Sequence, residues 1–270
     1  MPFGESIFKS NCENNFKRKS KNIFENNIKT QPKKNVLCKI RCGGTVIKVV
    51  DTFAGSHPVR VLTVNGAIES AIFREERYKD ELVFNYMRCM EWAFRQNPDI
   101  RDTLLIGGGA FSYPRHYLRY HPDASIDVAE ISPEIISIAE QYFGLNELSS
   151  ACPGRLRIFR EDGYRVLSSS EKCYDLIIND AFTGHEADSS LTTDKALEMI
   201  RSRLNPGGLY LINIPTALAG PFARKGNRAL EKIRKYFEYT MLMPVHEEKK
   251  AWEVQNCVLF ASEREFRWFE

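Results

Sequence analysis

The order of apolar runs predicts an α/β chain in two parts. A small N-terminal antiparallel β-sheet is expected over residues 36–73, then a doubly wound sheet covered by helices on both faces over residues 74–270. Three observations carry this. Between residues 45 and 73, β-branched runs are separated by turn signals. From Arg74 onward, strand-like and helix-like segments alternate. The last two strand-like segments have no helix between them, so the final strand of a seven-stranded sheet is expected to run antiparallel.

In the first part, Thr45-Val-Ile-Lys-Val-Val50 and Arg60-Val-Leu-Thr-Val-Asn65 read as strands, with Ala54-Gly-Ser-His-Pro58 as the turn between them. Asn65-Gly66 is a strong hairpin signal, and Ala67–Phe73 is the strand that follows it. In the second part, Leu82, Val83, Tyr86, Met87, Met90 and Phe94 recur at helical spacing until Asn97-Pro98 ends the helix. Strands are then expected at 103–106, 125–130, 156–160, 174–179, 208–214, 239–245 and 256–262. The intervening helices are expected at 112–121, 133–143, 163–169, 192–204 and 226–237.

Composition narrows the classes. A hydrophobic fraction of 43% over 270 residues suffices for a substantial core. No stretch approaches the roughly 20 uncharged apolar residues of a membrane span, and the start lacks a basic head followed by an apolar core. A cytoplasmic protein is therefore expected, with no membrane partner. Residues 1–35 carry eight Lys/Arg and three acids, leaving 30 basic and 32 acidic residues in the rest, so a basic nucleic-acid-binding body is disfavoured. That segment, rich in Asn and Lys, is expected to be a basic, poorly ordered arm. The seven cysteines are an odd number, and Cys38 and Cys42 have no second pair at zinc-site spacing. A reduced protein without a metal is expected.

Ligands of doubly wound sheets bind beyond the carboxyl ends of the strands, so those ends supply the candidates. The first runs Leu104-Leu-Ile-Gly-Gly-Gly-Ala-Phe111, where Gly107, Gly108 and Gly109 let backbone approach a ligand beside a helix N-terminus. A dinucleotide fingerprint would place a further glycine at position 112, which is Ser112, so the cluster alone also fits a plain turn. The second strand end carries Glu130, 23 residues beyond Gly107, near the distance of about 20 at which an acid binds ribose hydroxyls. Ile131 follows it, and Ser132-Pro133 caps the next helix. The third ends in Asp162-Gly163, where Asp162 can accept a hydrogen bond from an adenine amino group or simply form a turn. The fourth ends in Asp180, a candidate base where two reactants would meet, or a cap.

With these strand ends in order, the sequence from about Thr45 to Ser262 resembles the spermidine/spermine synthase family, as a divergent branch. The matching segments are Val64-Asn-Gly-Ala-Ile-Glu69, Asp80-Glu-Leu-Val-Phe-Asn85, the glycine turn, Glu130-Ile-Ser-Pro-Glu134, Glu161-Asp-Gly163 and Tyr174–Asp180. The resemblance implies a small β-sheet before a class I methyltransferase-like Rossmann domain. It also implies S-adenosylmethionine or its decarboxylated form as co-substrate, a small-molecule amine acceptor and a homodimer. Four positions depart from the family pattern near the acceptor. Ala110 and Thr183 stand where the family has Asp; Glu69 and Asn85 stand where it has Gln.

The nucleoside residues are thus retained and two acceptor acids are lost. Asp180 is expected to bind and deprotonate the attacking amine, whose pKa near 10 keeps it protonated at neutral pH. Ala110 and Phe111 are expected to make an apolar floor, favouring an acceptor smaller or less charged than a diamine. The competing readings are a methyltransferase, a nucleoside-binding scaffold without activity, and a nicotinamide-dependent enzyme, the last disfavoured by Ser112 and the terminal hairpin.

Overall fold

The computed structural model describes residues 35–183, 186–187 and 190–267. Apart from Asn35, the expected basic arm lies outside the described residues.

Four strands, β1 (Asn35–Cys42), β2 (Thr45–Ala54), β3 (His57–Val64) and β4 (Ala67–Phe73), form an antiparallel sheet in chain order. The Asn65-Gly66 turn behaves as its sequence requires, with both residues at positive φ, 51° and 89°. Asn65 closes it by accepting from the Val46 N–H through Oδ1 at 2.8 Å. Strand β1 was not expected. It lies at the sheet edge, mostly exposed, and its pairing is interrupted between Val36 and Cys38, so no clean alternation marks it.

The single helix expected from 82 to 94 is instead two short ones, α1 (Asn85–Met90) and α2 (Ala93–Gln96). Leu82 and Val83 precede α1 because they serve two cores. Leu82 packs into the main core, whereas Val83 packs beneath the N-terminal sheet with Val50, Val61 and Phe73. Phe84 is accordingly extended, at φ −93° and ψ 133°.

The large sheet comprises β5 (Asp102–Ile106), β6 (Ser125–Ala129), β7 (Leu156–Phe159), β8 (Tyr174–Asn179), β11 (Leu204–Thr216), β12 (Tyr239–Pro244) and β13 (Gln255–Ser262). Its order is β12-β13-β11-β8-β5-β6-β7, and β13 is antiparallel to both neighbours, as expected. A two-residue ribbon, β9 (Phe182–Thr183) with β10 (Glu186–Ala187), follows β8. The covering helices are α3 (Ser112–Tyr120), α4 (Pro133–Tyr142), α5 (Leu145–Ala151), α6 (Gly163–Ser169), α7 (Asp194–Ser202) and α8 (Arg224–Ile233). No helix among the described residues is long and apolar enough to cross a membrane.

Strand alternation divides the core between the two sheet faces. Leu105, Val128, Ile178 and Leu211 pack on one face with Tyr86, Met90, Tyr117 and Ile136. Leu104, Ile106, Ile177 and Ile212 pack on the other with Val166, Leu197, Ile200 and Ile233. The N-terminal sheet docks through Ile47, Val49 and Leu62 against Ala110, Ile138 and Phe143. Strand order reverses between β5 and β8, which opens the crevice where doubly wound sheets bind ligands.

Candidate active site

A cavity of about 810 Å³ occupies that crevice, roofed by β4 of the N-terminal sheet. Its base is the glycine turn after β5. Gly107 donates to the Ala129 carbonyl at 2.9 Å and has φ +96°; a Cβ there would lie 2.6 Å from the Asp180 carbonyl oxygen. Only glycine lets the ends of β5 and β8 come this close. Gly108 and Gly109 then turn their N–H groups onto Glu130 Oε2, at 2.9 and 3.3 Å. Ser132 donates its N–H to the other oxygen, Oε1, at 2.9 Å. Glu130 is 5% exposed, and its burial is offset by these charge-assisted hydrogen bonds.

Beside Glu130, Ile131 stands 68% exposed on the cavity wall, an unusual position for an isoleucine. Asp162 is the N-cap of α6, accepting from the Arg165 N–H at 3.1 Å while also lining the cavity. The turn reading of Asp162 is thus the one its hydrogen bond shows, and the same residue lines the cavity. Gly163 permits α6 to sit on β5: a Cβ would fall 2.3 Å from Ile106 Cγ2.

At the far end, Asp180 is held from two sides. Tyr86 donates its hydroxyl to Oδ2 at 3.0 Å, and Asn213 donates its amide to Oδ1 at 2.9 Å. Burial pushes the carboxyl up to about 7, and these two donors hold it back from rising further. Glu69 on β4 is also pushed up to about 7, first by burial and then by the charges of Asp180 and Glu130.

Two expected acceptor residues lie elsewhere. Ala110 is buried between the N-terminal sheet and α4, and Phe111 is buried in the main core, so the expected apolar floor does not form from them. Phe111 holds a left-handed conformation, φ 56°, and its ring packing in the main core offsets the backbone cost. Asn85 sits in the first turn of α1, accepting from Arg88 at 3.4 Å, and its neighbours Phe84 and Tyr86 line the cavity in its place. Thr183 falls in β9, and its side chain lies outside the described residues.

Sequence reasoning missed two residues that hold Asp180. Helical spacing assigns Tyr86 to the core, and its ring is indeed buried, but its hydroxyl reaches the site. Asn213 was visible as a lone amide inside the apolar strand Leu209-Tyr-Leu-Ile-Asn-Ile214, where a polar group needs a partner.

Charge distinguishes this cavity. Six carboxyl side chains line it: Glu69, Glu130, Glu134, Glu161, Asp162 and Asp180. Among the described residues, no Lys, Arg or His lines it.

A family model described as the spermine/spermidine synthase domain matches residues 87–246. A curated polyamine aminopropyltransferase from Lachnospira eligens is 31% identical over 144 residues, covering 53% of this chain and 48% of the relative. The chain spans about half the length of the curated relatives it matches. Among solved structures, a probable spermidine synthase from Corynebacterium glutamicum superposes with a TM-score of 0.70 at 23% identity, over 88% of this chain and 82% of that one. A spermidine synthase in complex with the transition-state analogue AdoDATO gives 0.66 at 19% identity, over 85% and 74%. These likenesses extend the shared fold to both sheets.

Proposed function

The chain belongs to the spermine/spermidine synthase family, and we propose that it transfers an aminopropyl group from decarboxylated S-adenosylmethionine to a small-molecule amine. The observation that carries this is the charge of the cavity, six carboxyls with no facing cation among the described residues. Such a wall favours reactants that bring ammonium and sulfonium groups, and opposes a donor that keeps its own carboxylate.

In this reading Glu130 accepts from the ribose hydroxyls with the lone pairs its backbone partners leave free, and Asp162 accepts from the adenine amino group. Ile131 offers an apolar surface to the base, and the glycine turn lets the sulfonium approach. Asp180 binds the acceptor's ammonium and takes one proton from it. The freed nitrogen then attacks the propyl carbon bonded to sulfur, in line with the leaving group. A C–N bond forms and the C–S bond breaks. Its electron pair stays on sulfur, releasing neutral 5′-methylthioadenosine and a secondary ammonium, and Asp180 passes its proton to solvent.

The test is calorimetric titration of the full chain with 5′-methylthioadenosine, S-adenosylmethionine, its decarboxylated form and NAD. The proposal expects the thioether and the decarboxylated donor to bind and NAD not to bind. S-adenosylmethionine binding as tightly as its decarboxylated form would overturn the choice of donor. Binding of NAD alone would overturn the reaction class.

A further inference from the structure

We infer that the rim beyond β11 and β13, together with the outward face of α8, is a docking surface for an anionic lipid bilayer. The inference goes beyond the aminopropyl-transfer reading and does not depend on it.

An apolar ledge forms the centre of this surface. Leu218, Phe222, Trp252 and Val254 come from two loops and are all exposed, Phe222 at 66% and Trp252 at 60%. The loops are tied together. Leu218 and Ala219 both donate their N–H groups to the Ala251 carbonyl at 2.8 Å, and a Cβ on Gly220 would lie 4.0 Å from Trp252 Cβ. Phe222 sits in a single turn, Pro221–Ala223, that is held to the end of β11. Its carbonyl accepts from the Ala217 N–H at 3.3 Å and from the Thr216 hydroxyl at 3.2 Å. Neighbouring apolar side chains fixed in water by their backbone mark an interaction site.

A basic face continues from the ledge. Residues 224–235 carry six Lys/Arg and one acid, although residues 36–270 together hold 30 basic and 32 acidic residues. Ile233, Ala229 and Leu230 of α8 pack on the sheet and Gly226 is buried, so helical periodicity turns Arg224, Lys225 and Arg228 outward. All three are exposed, and among the described residues no carboxylate pairs with them; Lys232, by contrast, pairs with Asp194 at 3.5 Å. Solvation alone accounts for a charged helix face, but not for an exposed phenylalanine two residues before it.

Charge selects the occupant. Residues 1–35 carry eight Lys/Arg and three acids, so the chain's own N-terminal segment is repelled from this face. A second copy seated about a two-fold axis would set the basic face against itself. Nucleic acid supplies phosphates, but Leu218 and Val254 offer its bases no stacking plane. An anionic bilayer supplies headgroups for the arginines and lysine and an apolar boundary for the ledge. Lys250 places its Nζ over the Trp252 ring, 5.4 Å from the centroid, so the ammonium can stay at the headgroups while the ring lies at the boundary. Such a contact lies on the bilayer and needs no spanning helix, so the expectation of no membrane partner, drawn from the want of a span, does not oppose it.

The test sediments the full chain with vesicles of phosphatidylcholine alone and of phosphatidylcholine mixed with phosphatidylglycerol. Wild type should pellet with the mixed vesicles and not with the neutral ones, and added salt should release it. Arg224→Glu/Lys225→Glu/Arg228→Glu and Phe222→Ser/Trp252→Ser should each weaken binding about tenfold or more. Both variants should keep the urea midpoint of wild type, because the altered side chains are exposed. Wild type that stays in solution with the mixed vesicles overturns the inference. Undiminished binding by the helix variant assigns the contact to another basic segment and overturns it too. Undiminished binding by the aromatic variant overturns the role of the ledge, and a single-stranded oligonucleotide bound more tightly than the vesicles identifies nucleic acid instead. Aminopropyl transfer stands under every one of these results.

Discussion

Replacing Asp180 by Asn should stabilise the protein, and the gain should grow with pH. The carboxyl is raised from 3.8 to about 7, chiefly by burial. Because its folded pKa lies above its unfolded one, the folded state binds the proton more tightly between those values. Its contribution is fully favourable below about pH 4 and is lost as pH rises through 7. Three pKa units correspond to about 4 kcal/mol, and access of water through the cavity reduces this to about 2 kcal/mol. Asparagine removes the charge and keeps the shape. Its Oδ1 can accept from Asn213, and its amide can donate to a rotated Tyr86 hydroxyl. Urea unfolding at pH 8 should therefore show Asp180→Asn about 2 kcal/mol more stable than wild type, or about 4–8 °C in melting temperature. At pH 5 the gain should be less than half of that. Aminopropyl transfer should be lost in the same variant. Equal gains at both pH values, or a loss of stability at pH 8, would refute the assignment of Asp180 as a carboxyl whose pKa is raised by burial.

Three further outcomes follow from the same geometry. Tyr86→Phe removes one donor that lowers the Asp180 pKa, so the acid limb of the pH–rate profile, expected near 7, should move to higher pH while thioether affinity stays unchanged. Glu130→Ala should weaken 5′-methylthioadenosine by about 10- to 100-fold in calorimetry, the range of a charge-assisted hydrogen bond. Gly163→Ala forces a methyl against Ile106 and should cost about 1–3 kcal/mol in urea unfolding, because helix and strand must separate to admit it.

How far the sequence carries the fold depends on burial. The central strands of the large sheet are buried on both faces and read as continuous apolar runs, so they and the terminal hairpin are legible. Edge strand β1 and helix α5 are not, the first for want of alternation and the second because only Leu145 and Leu148 of its seven residues are buried. At the site, Glu130, Asp162 and Asp180 are legible because strand ends in chain order must converge on one crevice. Side-chain direction is not. Asn85 and Ala110 stand where the family resemblance implies acceptor residues, yet one lies in a helix turn beside Arg88 and the other faces a sheet contact. Tyr86 illustrates the reverse, a residue whose apolar ring follows the core pattern and whose hydroxyl escapes it. A bulge in β4 at Glu69 leaves no trace in periodicity, since one extra residue in a short strand is indistinguishable from a change of face.

The most direct measurement is product analysis by mass spectrometry. The full chain is incubated with decarboxylated S-adenosylmethionine labelled in the propyl group and with a panel of amines that includes putrescine and single-amine acceptors. The acid-lined cavity predicts 5′-methylthioadenosine and a labelled secondary amine in equal amounts. In a parallel incubation with S-adenosylmethionine, release of S-adenosylhomocysteine, with no thioether formed from the decarboxylated donor, would contradict aminopropyl transfer.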